Sequence, residues 1–170
     1  MHNHILHFIK LTLVGLLALS ACQQQGIEPS RCRDGKCRFF IKNDRTIDLR
    51  MGIRERSGIL FTPPGDNRVF VYSYEEKQKR NSDQDPYTDL FAFEVDSDLE
   101  SFRFTNEQLE DIQFGIWSNC DCPENLFVAD SGYVSGQRID EHFWEVLIDV
   151  SYRKYDYRES LIMKARFEER

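Results

Sequence analysis

From Ile47 to Arg54, apolar and polar positions alternate: Ile47, Leu49, Met51 and Ile53 against Asp48, Arg50, Gly52 and Arg54. A period of two describes a strand with one buried and one wet face. The pattern returns near the C-terminus, where Trp144, Val146, Ile148, Val150 and Tyr152 share one face of a long strand. Leu161, Met163, Ala165 and Phe167 share one face of the next, and Arg153 to Glu159 is expected to join the two as a hairpin loop. Val69-Phe70-Val71-Tyr72 is apolar on both faces and predicts an interior strand. Leu90 to Val95, Phe102 to Phe104, Gln113 to Trp117 and Leu126 to Ala129 follow as short strands separated by turn residues. A single helical turn is predicted where Thr105 and Gln108 stand at capping-box spacing ahead of Leu109 and Ile112. About eight to ten strands at this spacing predict an all-β fold, either an antiparallel β-sandwich or a lipocalin-like barrel, and pattern alone does not choose between them.

A different pattern opens the chain. An apolar run from Leu11 ends at Leu19-Ser20-Ala21-Cys22, and Gln23-Gln24-Gln25 follows at once. The run is too short for a retained transmembrane helix, which needs about twenty apolar residues. The segment resembles the signal sequence and lipobox of bacterial lipoproteins, although His2, His4 and His7 accompany a single Lys10 where several cations are usual. The resemblance implies cleavage before Cys22, a diacylglyceryl group on its thiol and an acyl group on its new amine. Several acyl chains would make membrane attachment stable. Gln23 stands where an inner-membrane retention signal has Asp, which implies the outer membrane and its periplasmic leaflet. The organisation expected is a signal peptide over 1–21, a lipidated tether over 22–31 and one β-rich domain over 32–170. The tether residues Gln23 to Arg31 reach on the order of 30 Å at most, which holds the domain near the bilayer.

Charge is unevenly spread over a chain whose formal net charge is -7. Arg31 to Arg56 carries nine basic and four acidic residues, whereas Ser57 to Arg170 carries 12 basic and 24 acidic ones. An acidic chain outside the cytoplasm is a poor match for nucleic acid. The basic segment near the anchor is open to two readings: a solvated strand face, or a surface facing anionic headgroups, where each cation contributes about 1 kcal/mol.

Besides Cys22, four cysteines form two close pairs, Cys32 with Cys37 and Cys120 with Cys122. Asp34-Gly35 has two-residue hairpin character, which would set Cys32 opposite Cys37 at a non-hydrogen-bonded position suited to a disulfide. Cys120 and Cys122 are open to a small-ring disulfide or to cross-pairing with the first two. Export and the Cys-x-Cys spacing favour disulfides over a four-thiolate zinc site.

No catalytic motif follows the lipobox. His142 is the sole histidine after processing, no Gly-x-Ser-x-Gly elbow occurs, and Asp140 with Glu141 would serve glycoside hydrolysis only across a cleft. Asp83, Asp85, Asp89 and Glu94 occupy calcium-loop positions imperfectly, with Tyr87 and Thr88 at the fifth and sixth, and Asp96, Asp98 and Glu100 fit a polar turn. No metal or cofactor is therefore assigned. Tyr155 and Tyr157, in the expected hairpin loop, are weak binding residues whose rings would stack on a sugar or a partner, or pack back on their own hairpin. The function expected is a lipid-anchored binding or accessory module of the cell envelope that contacts the membrane through Cys22 and an envelope protein. A carrier of a small apolar ligand comes second, and a carboxylate-dependent hydrolase third.

Overall fold

The computed structural model describes residues 30–50, 58–77, 86–119 and 125–169. Eight strands account for most of them: β1 (Gly35–Arg50), β2 (Gly58–Glu76), β3 (Thr88–Asp96), β4 (Ser101–Thr105), β5 (Gly115–Ser118), β6 (Leu126–Arg138), β7 (Phe143–Lys154) and β8 (Tyr157–Glu169). One short helix, α1 (Gln108–Asp111), lies between β4 and β5. The strands form a single sheet in the order β4-β6-β5-β3-β2-β1-β8-β7, and a further β6–β7 pairing closes it into a ring. The all-β expectation holds, in its barrel form.

Both β4 and β5 run antiparallel to β6, β5 beside Leu126–Val128 and β4 beside Tyr133–Gln137. They act as one broken strand interrupted by α1, so the ring is an up-and-down meander of seven positions. With an odd number of positions, first and last run the same way, and the β1–β8 seam is accordingly parallel. It is also short: among the described residues only Phe40↔Glu168 and Ile41↔Glu169 pair.

The interior is aromatic. Phe70, Phe93, Phe114, Trp144 and Phe167 are fully buried, with Phe93 stacked between Phe70 (5.0 Å) and Phe114 (5.4 Å). Leu109 and Ile112 of the α1 turn join this core. The predicted capping box forms by half: Gln108 Oε1 accepts from the Thr105 N–H (3.0 Å), while the N-cap residue is Glu107 and makes no side-chain cap.

Val69 and Val71, on the opposite face of β2, belong to a second cluster with Ile47 and Ala92. This outer core exists because the distal half of the β1–β2 hairpin folds over the barrel wall. Its ladder breaks between Lys42 and Thr46, opposite Pro63-Pro64-Gly65-Asp66, and Asp44 takes a left-handed φ of 54°. Proline cannot donate to a ladder, which suits this segment to a break. Leu49 and Ile59 then seat on Gly115 of β5, where a Cβ would stand 2.5 Å from Leu49 Cδ2. Beneath the arm, the buried Glu94 accepts from the Ile47 N–H (2.8 Å) and from Gln113 Nε2 (3.3 Å). One carboxylate thus ties the arm to the α1–β5 turn.

Four expectations need correction. Asp34-Gly35 is no hairpin turn, because Cys32 lies in a 3-10 turn, Ser30–Arg33, and β1 starts at Gly35. Glycine serves close packing there: a Cβ would meet Tyr74 Cε2 at 2.3 Å. The β7–β8 connection is the two-residue turn Tyr155-Asp156 rather than a loop over Arg153 to Glu159, since the ladder runs on through Lys154↔Tyr157. Gln113 is not in a strand: its φ of 49° ends the α1 turn, and β5 begins at Gly115. Finally, Asp130 to Arg138 is strand, completing β6. Met51 and Ile53 lie outside the described residues.

Candidate binding site at the β1–β8 seam

The two ends of the ring differ. At the end bearing the β3–β4 and β6–β7 loops, Arg68 and Arg138 form an ionic belt around Glu169. Arg68 Nε lies 3.4 Å from Oε1 and Arg138 Nη2 lies 3.4 Å from Oε2. Arg138 also reaches Glu100 (3.1 Å) and the carbonyls of Asp140 and Glu141, and Arg68 donates to the Leu99 carbonyl. The Arg68 guanidinium lies over the Trp144 ring, 5.3 Å from its centroid. Largely buried ion pairs persist only with this density of hydrogen bonds, and the result is a lid on the aromatic core.

Toward the opposite end, Tyr74 and Phe127 stay buried, but several other inward-facing side chains are only partly so. Cys37 and Phe39 of β1, Tyr152 of β7, Leu161 and Ala165 of β8, and Tyr87 before β3 all pack against the core while keeping some exposure. Phe39 packs on Tyr72 (5.1 Å) and edge-on against Phe167 (5.5 Å). Four of these residues flank the stretch over which β1 and β8 do not pair. Asp89 supplies an inward-facing charge here and accepts from the Tyr87 hydroxyl (2.5 Å) and from Ser118 Oγ (2.6 Å). Cys32 and Cys37 form a disulfide with Cα atoms 5.4 Å apart, and Tyr72 donates to Cys37 Sγ at 3.6 Å. The bridge fastens the start of β1 at this end.

The outer wall also divides. Over β2, β3 and β5 it is covered by the folded arm. Over β7 and β8 it faces solvent with Leu147 and the 59 % exposed Ile162 uncovered, flanked by Lys164 on Glu145 (2.7 Å) and Arg166 over Phe143. Tyr157 at the hairpin tip is 75 % exposed, whereas Tyr155 stands edge-on to Phe127 at 6.2 Å.

Other sequence-derived residues separate. Cys22, Cys120 and Cys122 lie outside the described residues, as do Asp83 and Asp85 of the calcium-like cluster. Asp89 faces the interior and Glu94 the arm, so the two cannot share an ion. Asp96 caps its own turn by accepting from the Asp98 N–H. Among the described residues no three His, Cys, Asp or Glu side chains gather into a metal site. Asp140 accepts from the backbone N–H groups of His142 and Phe143, ordering the β6–β7 loop. Sequence reasoning missed the partly open β1–β8 interior. Its one local signal is Ala165, a small residue among large inward-facing ones. No known protein family, curated protein or solved structure matches the chain.

Proposed function

We propose that this chain is a bacterial lipoprotein, anchored through Cys22 in the periplasmic leaflet of the outer membrane, that acts as a binding and accessory module of the envelope. The observation that carries the binding role is the pair of exposed apolar side chains on the outer face of the β7–β8 hairpin, Ile162 and Leu147, diagonal to one another across the ladder. Large apolar side chains held in solvent by a rigid sheet mark a contact surface. A photoreactive side chain at Ile162 is expected to cross-link one envelope protein in intact cells, with no such adduct from the exposed Glu110. The same adducts from both positions would contradict the assignment.

Carriage of a small apolar ligand is the second reading, favoured by ring closure together with the partly exposed inward residues at one end. The hydrolase reading draws no support from Asp140, whose carboxylate is occupied by its own loop.

A further inference from the structure

The seam between β1 and β8 combines three features. Among the described residues its ladder has the pairs Phe40↔Glu168 and Ile41↔Glu169, and the preceding parts of both strands are not paired with each other. The inward residues along that stretch, Cys37, Phe39, Leu161 and Ala165, are apolar and only partly buried. The outward residues of the same strands are cationic: Lys36 and Arg38 on β1, Lys164 and Arg166 on β8. Among the described residues three carboxylates stand beside them: Glu75 is opposite Lys36 and 3.9 Å from Arg38, Glu145 is opposite Arg166 and 2.7 Å from Lys164, and Glu168 follows Arg166 on the same face, so the cations outnumber the acids by one.

An apolar slot with a cationic rim is complementary to one class of molecule, an acyl chain with an anionic head. We infer that the β1–β8 seam binds an anionic acyl amphiphile, its chain against Phe39, Leu161 and Ala165 and its head at Arg38 and Lys164. The ionic belt and aromatic core close the far end, so the chain enters from the opposite end. The supply of ligand from a bilayer rests on the lipid-anchor reading, whereas the slot itself does not. Each methylene buried contributes about 0.8 kcal/mol, so even a partly inserted chain gives measurable retention.

The test uses the mature protein from its host membrane, its mass at Cys22 recorded first, in phosphatidylcholine nanodiscs. One arm adds palmitic acid bearing a terminal diazirine, and a second places the same photoreactive chain on phosphatidylglycerol or on phosphatidylcholine within the disc. After irradiation, adducts are expected on the peptides holding Cys37–Ile41 and Leu161–Ala165. Labelling by the free acid or by phosphatidylglycerol should exceed that by phosphatidylcholine at least tenfold. Ala165→Phe, which fills the slot, should lower labelling at least tenfold, while Ile162→Asp on the outer wall should leave it within twofold. Adducts confined to other peptides, or equal labelling by phosphatidylcholine, would overturn the inference, and the wild-type adduct map decides even if Ala165→Phe does not fold. Slot adducts on a protein without lipid at Cys22 would keep the slot and remove the anchor. Lipid at Cys22 without slot adducts would do the reverse.

Discussion

Replacing Glu94 by alanine tests whether the folded arm is held by the contact that its geometry implies. The carboxylate is 9 % exposed and accepts from the Ile47 N–H at 2.8 Å and from Gln113 Nε2 at 3.3 Å. Alanine removes both acceptors and leaves the Ile47 N–H buried, because Ile47 itself is 2 % exposed beneath the arm. An orphaned buried donor costs about 1–3 kcal/mol. Glutamine keeps one oxygen for Ile47, and Gln113 can rotate its amide to accept from the new NH2 group, so Glu94→Gln should cost under about 1 kcal/mol. Urea unfolding reads the difference in midpoint at constant slope, and hydrogen exchange at the Ile47 amide reads it locally. At about 1.4 kcal/mol per factor of ten, the alanine variant should exchange that amide roughly ten- to hundredfold faster. An alanine variant within about 0.5 kcal/mol of the parent would show that the arm is held by Ile47, Leu49 and Ile59 packing alone.

Three further outcomes follow from close contacts. Gly132→Ala should destabilise by at least about 2 kcal/mol, because φ there is 102° and a Cβ would stand 2.1 Å from the Asp149 carbonyl oxygen; thermal unfolding of the purified variant checks this. Paired replacement of Cys32 and Cys37 by serine should cost about 2 kcal/mol in urea unfolding, from the loop entropy of a sequence separation of 5. Arg138→Ala should cost about 1–2 kcal/mol, with little recovery in Arg138→Lys, since an ammonium cannot reach Glu100, Glu169 and two loop carbonyls together; equal stability of the lysine variant and the parent would refute the belt.

What sequence pattern conveyed best was the strand pair at the C-terminus. Trp144, Val146, Ile148 and Val150 are all fully buried, as alternation requires, and Met163 and Phe167 face them. The two-faced apolarity of Val69-Phe70-Val71-Tyr72 was equally informative, because it reports a strand between two cores. Pattern did not convey the second half of β6, which carries Ser131-Gly132 and Ser135-Gly136. They are small because neighbours come close: a Cβ on Gly136 would meet the Phe102 ring at 2.3 Å. Nor does local pattern reveal that β4 and β5 occupy one position in the ring, which sets the parallel direction of the closing seam. The candidate site was the least legible part, since the partial exposure of Phe39, Leu161 and Ala165 arises from strand direction and register rather than from residue type. Tyr155 lies within the two-residue turn and Tyr157 just after it, and both are exposed as their place in a hairpin connection implies.

The central claim is a binding barrel held to the envelope by lipid at Cys22, and the intact mass of the mature protein from its own host membrane tests it most directly. The account predicts a chain lacking residues 1–21, carrying added diacylglyceryl and acyl mass on its first residue, and lighter by two hydrogens for Cys32–Cys37. A chain that retains residues 1–21, or one that begins elsewhere with an unmodified Cys22, would contradict it.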